Sequence, residues 1–320
     1  MASHPGEMDS PHLPVLYQTI ITALRPKSTG RYIDGTLGAG GHSAGILTES
    51  TPDGEVLGLD LDPQALAIAR EKLAAFGKRA HLVQASYTTM KAEAANLGWE
   101  TVDGIILDFG VSSMQLDTPE RGFSFIHDGP LDMRFTPQAS LSAADLVNSS
   151  PEAELADLIF RYGEERLSRK IARAIVVHRP INTTKELADL ILKYIGKRER
   201  IHPATRTFQA LRIAVNGELE SIETVLPLAV SLLRSPDPKS GKPGGRLAVI
   251  SFHSLEDRLV KEYFRRESTD CLCPPRQPVC TCGHQASLIE VNRKPIEASQ
   301  EEMQANSRAR SAKLRVAEKK

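Results

Sequence analysis

Three residues and one short turn carry the spacing expected of a nucleotide site. Asp34-Gly35-Thr36-Leu37-Gly38-Ala39-Gly40-Gly41-His42 is a glycine-rich turn, of the kind that brings backbone amides against a ligand with no Cβ in the way. Asp60 lies 19 residues beyond Gly41, where an acid ending the next strand accepts hydrogen bonds from the ribose hydroxyls of an adenosyl ligand. Tyr87 stands where it walls an adenine, and Asp108 faces the same crevice. A dinucleotide site calls for G-x-G-x-x-G, but counting from Gly38 the third glycine position is Ser43, which argues against a nicotinamide dehydrogenase.

Other residues invite weaker readings. Thr205, Gln209, Arg212 and Asn216 recur at helical spacing, a row suited to a base or phosphate but equally to hydrogen bonds between domains. His253 follows a strand on the ligand side and reads as structural before catalytic. All four cysteines fall in Cys271-x-Cys273-x6-Cys280-x-Cys282. Paired thiols suggest a metal before a disulfide, yet C-x-C is a tighter bite than the usual C-x2-C of zinc sites. No metal is assigned to the chemistry.

These residues need a scaffold, and the chain supplies one of α/β class. Strand patterns at 31–34, 55–60, 80–85 and 102–109 alternate with helix patterns at 43–49 and 64–76, implying a parallel sheet covered by helices. Asp62 and Pro63 are the cap and first-turn proline of the second of these helices. The next buried strand is 245–252. The 135 residues from 111 to 245 far exceed a simple crossover, so a domain is inserted. It reads as helical, with Thr183 and Glu186 forming a capping box and one long helix carrying Phe208, Leu211, Val215, Leu219, Ile222 and Leu226. Ser254 and Asp257 are read as caps of a further helix, and 287–291 with 314–317 as a closing antiparallel pair. The expected boundaries are 1–135 and 226–320 for the two parts of the sheet domain and 136–225 for the insert.

With 40 basic and 40 acidic residues, the chain as a whole offers no field for a polyanion. A local patch does: from Arg161 to Arg212 there are 13 Lys/Arg against 5 Asp/Glu, and the tail from Arg308 adds six basic residues to one Glu. The opening residues lack the basic and apolar regions of a signal peptide, and no apolar run reaches membrane-spanning length. A cytoplasmic protein is expected.

Longer segments narrow the reading further. HLPVL from His12, YIDGTLGAGGHS from Tyr32, LDLDPQA from Leu59, DGIILDFGVSSMQLD from Asp103, RGFSF and DGPLDMR from Arg121 and Asp128, then YGEER, HPATRTFQALRIAVNGELE, SFHSLEDRLVK and NSRARSAKLRVAEK together resemble the 16S rRNA cytosine-N4 methyltransferase family (MraW/RsmH) over nearly the whole chain. The resemblance implies a Rossmann-like S-adenosylmethionine-dependent methyltransferase sheet with an inserted helical domain. It implies S-adenosyl-L-methionine contacts at Gly40, Gly41, His42, Asp60, Tyr87, Asp108 and Gln115. The partner it implies is 16S rRNA or the small ribosomal subunit rather than DNA, and the reaction is N4-methylation of a cytosine in the decoding region. Tyr87 departs from the more usual Phe and adds a hydroxyl that needs a partner. Asp108-Phe109-Gly110-Val111 departs from the Asp/Asn-Pro-Pro-aromatic motif of many amino-methyltransferases. Asp108 is therefore read either as the catalytic acceptor at the amine or as a cofactor contact. A dehydrogenase, a non-catalytic RNA chaperone and a methyltransferase for another nucleic acid are the rival readings.

Overall fold

A computed structural model describes residues 14–197, 201–239 and 241–320. His12 and Leu13 of the first motif, the opening residues read for a signal peptide, and Arg198, Glu199 and Arg200 of the basic stretch lie outside the described residues.

Among the described residues, one sheet of eight strands organises the chain. In chain order they are β1 (Arg31–Asp34), β2 (Glu55–Asp60), β3 (Ala80–Gln84), β4 (Gly104–Asp108), β5 (Arg246–Ser251), β6 (Leu288–Glu290), β7 (Ile296–Glu297) and β8 (Lys313–Lys319). The spatial order is β3-β2-β1-β4-β5-β8-β6, with β7 also on β8. The first five are parallel, whereas β8 runs antiparallel to β5 and pairs with β6. The expected closing pair is thus present.

Both faces of the sheet are covered, which is why its strands read as apolar runs rather than alternations. Ile33, Leu57, Ile105, Leu107, Leu247 and Val249 enter one buried cluster; their neighbours Tyr32, Val56, Ile106, Ala248 and Ile250 enter another on the opposite face. Helices α1 (Tyr17–Leu24), α2 (Gly41–Glu49) and α3 (Pro63–Leu73) pack on the second face, and α4 (Met90–Asn96) on the first. Asp62 caps α3 by accepting from Gln64 N at 2.9 Å, with Pro63 at its first position.

After the short α5 (Ser113–Asp117) comes the helical body: α6 (Ala143–Ser149), α7 (Glu152–Gly163), α8 (Ser168–Val177), α9 (Thr184–Ile195) and α10 (Thr205–Asn216). The Thr183–Glu186 capping box is formed as read. This body has its own apolar cluster, drawn from Phe123 to Leu211. The single long helix expected across 208–226 is instead two. Gly217, at φ 59°, ends α10 and begins α11 (Glu218–Leu232), because α10 packs in the helical body while Ile222, Val225 and Leu226 of α11 pack on the sheet. Apolar packing therefore groups 123–135 with the helices and 218–225 with the sheet, unlike the expected boundaries at 136 and 225.

Helix α12 (Ser254–Glu267) follows β5, and α13 (Gln300–Ala305) precedes β8. The cap of α12 is His253, not Ser254 or Asp257. Its side chain accepts from Glu256 N, and the Glu256 carboxylate returns to the backbone amides of Phe252 at 2.7 Å and His253 at 3.3 Å. A histidine accepting at the cap position replaces the hydroxyl or carboxylate usually found there.

Candidate active site

The strand order reverses between β1 and β4, and the crevice beyond the carboxyl ends of these strands is where open α/β sheets bind ligands. The turn from β1 to α2 is laced to both neighbours. Gly35 N donates to Ile106 O at 3.0 Å, Leu37 N to Leu59 O at 2.9 Å, and Gly38 N to the Asp60 carboxylate at 2.8 Å. Asp108 N donates to Thr36 Oγ1 at 2.6 Å. Gly38 and Gly40 take φ of +51° and +76°, a region costly for residues with a Cβ. Gly41 is required for another reason: a Cβ there would stand 2.3 Å from Pro14 Cγ.

Asp34, at the end of β1, was assigned no role from the sequence. It is buried and accepts from Ser43 Oγ at 2.7 Å and Thr36 N at 3.2 Å. Burial raises its carboxyl to about 6, against the opposing pull of His42 and the two hydrogen bonds. The initial Asp of the glycine motif was its one available sign.

His42, in the first turn of α2, is buried and stacks on Tyr17 with centroids 6.4 Å apart. Its Nε2 lies 3.7 Å from Asp108 Oδ2. Neither ring nitrogen has a hydrogen-bond partner, and neither does Asp108 Oδ1, although all three atoms are buried. Buried polar atoms of this kind are rare unless a ligand completes them. Here three of them belong to two neighbouring residues, His42 on the glycine turn and Asp108 at the end of β4.

Asp60 accepts from Gly38 N and, through its other oxygen, from Asp62 N at 2.8 Å. It therefore braces two loops, and burial raises its carboxyl despite those amides. Gln115 is buried beside Asp62, its Nε2 3.5 Å from Asp62 Oδ2. Tyr87 lies against the glycine turn, its Cβ 3.1 Å from where a Cβ on Gly35 would stand. Its ring lies 5.9 Å from that of Phe109, its hydroxyl bonds Ser221 of α11, and burial raises its pKa well above that of a free tyrosine. The hydroxyl thus finds the partner its presence demanded.

The row on α10 divides among structural tasks. Gln209 donates to Tyr162 O at 2.9 Å, and Asn216 bonds Phe135 N and Met133 O, each at 2.8 Å. Arg212 makes a bidentate pair with Glu218 at 2.8 and 2.9 Å. Beyond it Glu256 Oε1 lies 3.9 Å from Arg212 Nη2 and 3.1 Å from His253 Nε2. Burial works against the Glu256 charge, but His253 and Arg212 outweigh it and hold its carboxyl below the usual range. Glu218, His253 and Glu256 are close enough to hold a cation; the guanidinium already provides the positive charge there. This cluster fastens α10 to α11 and α12, and sequence spacing did not reveal it.

The basic stretch also divides. Arg179 donates to Val147 O and Ser150 O, and Arg206 pairs with Glu165, whereas Arg166, Arg169, Lys170 and Arg173 are exposed on or beside α8. The C-terminal cations do not form a free arm: Arg315 is buried against Asp257 and Arg308 pairs with Asp117.

Comparison with known proteins shows what the whole chain is similar to. A family model described as the MraW methylase family matches residues 9–320. The chain is similar to Ribosomal RNA small subunit methyltransferase H of Geobacter sp. (strain M21), 52% identical over 317 residues, covering 97% of this chain and 99% of that protein. The protein of that name from Dehalococcoides mccartyi (strain ATCC BAA-2266 / KCTC 15142 / 195) is 52% identical, covering 97% and 86%. That from Heliobacterium mobile is 47% identical, covering 98% and 100%.

Proposed function

The chain belongs to the MraW methylase family, and from that premise we propose that it methylates the exocyclic N4 of a cytosine in the decoding region of 16S ribosomal RNA. Methyl transfer to small-subunit ribosomal RNA is the activity of an enzyme of this family, and S-adenosyl-L-methionine is its donor. The observation that carries the site assignment is the approach of His42, on the glycine turn, to Asp108, with both ring nitrogens and Asp108 Oδ1 buried and without hydrogen-bond partners.

The residues present suit that donor. Gly40, Gly41 and His42 line the turn, Asp60 offers remaining lone pairs to a ribose, and Gln115 and Asp108 close the crevice. Tyr87 supports it from beneath through Phe109 rather than with its hydroxyl. The bound donor supplies an electrophilic methyl group on a sulfonium. The N4 lone pair is delocalised into the cytosine ring, so an acceptor that localises it and stabilises the developing positive charge lowers the barrier. Asp108 is that acceptor: its partly exposed carboxylate can take an N4 hydrogen, while Thr36 fixes the backbone amide and His42 stands beside Oδ2. With the donor bound, the Asp108 carboxylate would hold the N4 hydrogen and would take up the surplus N4 proton once the amine is methylated.

The helical body, through the exposed cations of α8, contacts RNA phosphates and so positions the base. Among the described residues no helix is long and apolar enough to cross a membrane. The test is mass mapping of methylated nucleotides in ribosomal RNA from cells with and without the protein. One cytosine of the decoding region losing its N4-methyl mark is expected; an unchanged map refutes the reading.

A further inference from the structure

Outside the crevice, the densest gathering of ligand atoms is in the segment joining α12 to β6. We propose that Cys271, Cys273, Cys280 and Cys282 bind one zinc ion in a closed tetrathiolate site that holds this segment in shape.

Geometry is the main support. Sγ–Sγ separations are 3.5 Å for Cys271–Cys280, 3.6 Å for Cys280–Cys282, 3.9 Å for Cys271–Cys282 and 4.0 Å for Cys273–Cys280, and all four sulfurs lie within 4.8 Å of one another. Zinc–thiolate bonds of about 2.3 Å in a tetrahedron put the sulfurs about 3.8 Å apart. A disulfide needs about 2.05 Å, so the sulfurs stand at the corners of a metal tetrahedron and not as bonded pairs. The tight C-x-C spacing is accommodated because Pro274, Pro275 and Pro278 lie in the connection that returns the second pair against the first.

The surroundings match a thiolate cage. Leu272 N and Thr281 N each point at a sulfur, of Cys282 and Cys273 respectively, at 3.4 Å. Amide donors to sulfur orient the ligands and favour the ionised form a metal requires. His284 turns away, its Nε2 3.0 Å from Arg266 O, so the four sulfurs complete the shell. A site with no open position is structural rather than catalytic.

The segment also needs such a staple. From Thr269 to Gln285 there is neither helix nor strand, and only Cys273 and His284 are even partly buried. A connection this long without an apolar core is uncommon in an ordered domain. Zinc displaces the thiol protons to solvent and ties the two halves of the segment together just before β6, which pairs with the final strand β8.

The full-length chain, purified under reducing conditions without chelator, is expected to carry about one zinc per chain by elemental mass spectrometry. Cys271→Ser/Cys280→Ser should lose it while keeping its calorimetric affinity for S-adenosyl-L-methionine. Should that variant not fold, metal-free reduced wild-type chain titrated with Co²⁺ decides the matter: thiolate-to-cobalt charge-transfer and intense tetrahedral ligand-field bands are expected to saturate at one equivalent. Absence of zinc in the purified chain together with absence of those bands overturns the proposal. So does zinc retained by the double variant, or disulfide-linked cysteines in chain alkylated at cell lysis.

Discussion

Nη1 of Arg121 lies 2.7 Å from Oδ2 of Asp62, and both side chains are largely buried. The same guanidinium donates through Nη2 to Arg134 O and Phe135 O at 3.0 Å each. Asp62 meanwhile caps α3 and neighbours Gln115. One ion pair thus joins the loop after β2, which borders the cofactor crevice, to the segment that enters the helical body.

Truncating that pair strands a charge. Arg121→Ala leaves the Asp62 carboxylate buried without its cation, and loss of one partner of a buried pair costs about 3–5 kcal/mol. The expected outcome is that much loss in chemical unfolding. Adding Asp62→Asn should recover part of it, with a coupling of about 0.5–3 kcal/mol in the double-mutant cycle. Strict additivity of the two substitutions would show that the pair contributes nothing as a pair.

The extent to which sequence discloses such relationships is uneven, for a physical reason. The strands and the glycine turn were readable because local pattern dictates them: doubly covered parallel strands are apolar throughout, and Asp62-Pro63 is a self-contained start for a helix. The break at Gly217 was hidden by an apolar period that runs on from Phe208 to Leu226, although its two halves serve different cores. Asp60 was legible as a strand-end acid, but its hold on Gly38 and Asp62 was not. The Arg212–Glu218–Glu256–His253 cluster joins three helices, and no spacing rule links its members. The cysteine spacing was visible at once; the convergence of four sulfurs is a property of the fold.

Asp34 gives the fold a specific acid response. Its folded-state carboxyl is raised to about 6 by burial, with His42 and Asp108 the titratable groups facing it, whereas in the unfolded chain it titrates near 3.9. Between these values the folded chain keeps a proton that the unfolded chain releases. Its stabilising contribution is therefore complete below about pH 4 and lost as pH rises through about 6, a change of about 3 kcal/mol. Asp34→Asn, which does not titrate, should remove this slope. The measurement is unfolding free energy of both proteins from pH 4 to 7, and a difference between them that does not vary with pH rules the effect out.

The RNA-facing assignment of α8 rests on Arg169, Lys170 and Arg173, all exposed. Reversing the three to Glu should weaken binding of a 16S fragment while leaving calorimetric affinity for S-adenosyl-L-methionine unchanged. The logarithmic dependence of RNA affinity on salt should flatten by about 0.7–0.9 for each phosphate that the variant no longer neutralises. An unchanged slope with unchanged affinity would move the RNA surface to another face.

Asp108 separates binding from chemistry in one experiment. Its Oδ1 has no partner, its Oδ2 lies 3.7 Å from His42 Nε2, and its backbone is held by Thr36. Asn at this position keeps the size and one acceptor oxygen but removes the negative charge. If that charge stabilises positive charge arising on N4, Asp108→Asn should slow single-turnover methyl transfer by about 10²-fold or more at saturating donor, as removal of one preorganised electrostatic contact does. Affinity for S-adenosyl-L-methionine should fall far less than the rate, because the interaction strengthens only in the transition state. A residue that merely holds the donor behaves in the opposite way, with affinity reduced and the saturated rate near normal. Calorimetry and rapid-quench kinetics on the same variant measure both quantities, and a normal saturated rate would leave Asp108 as a binding residue only.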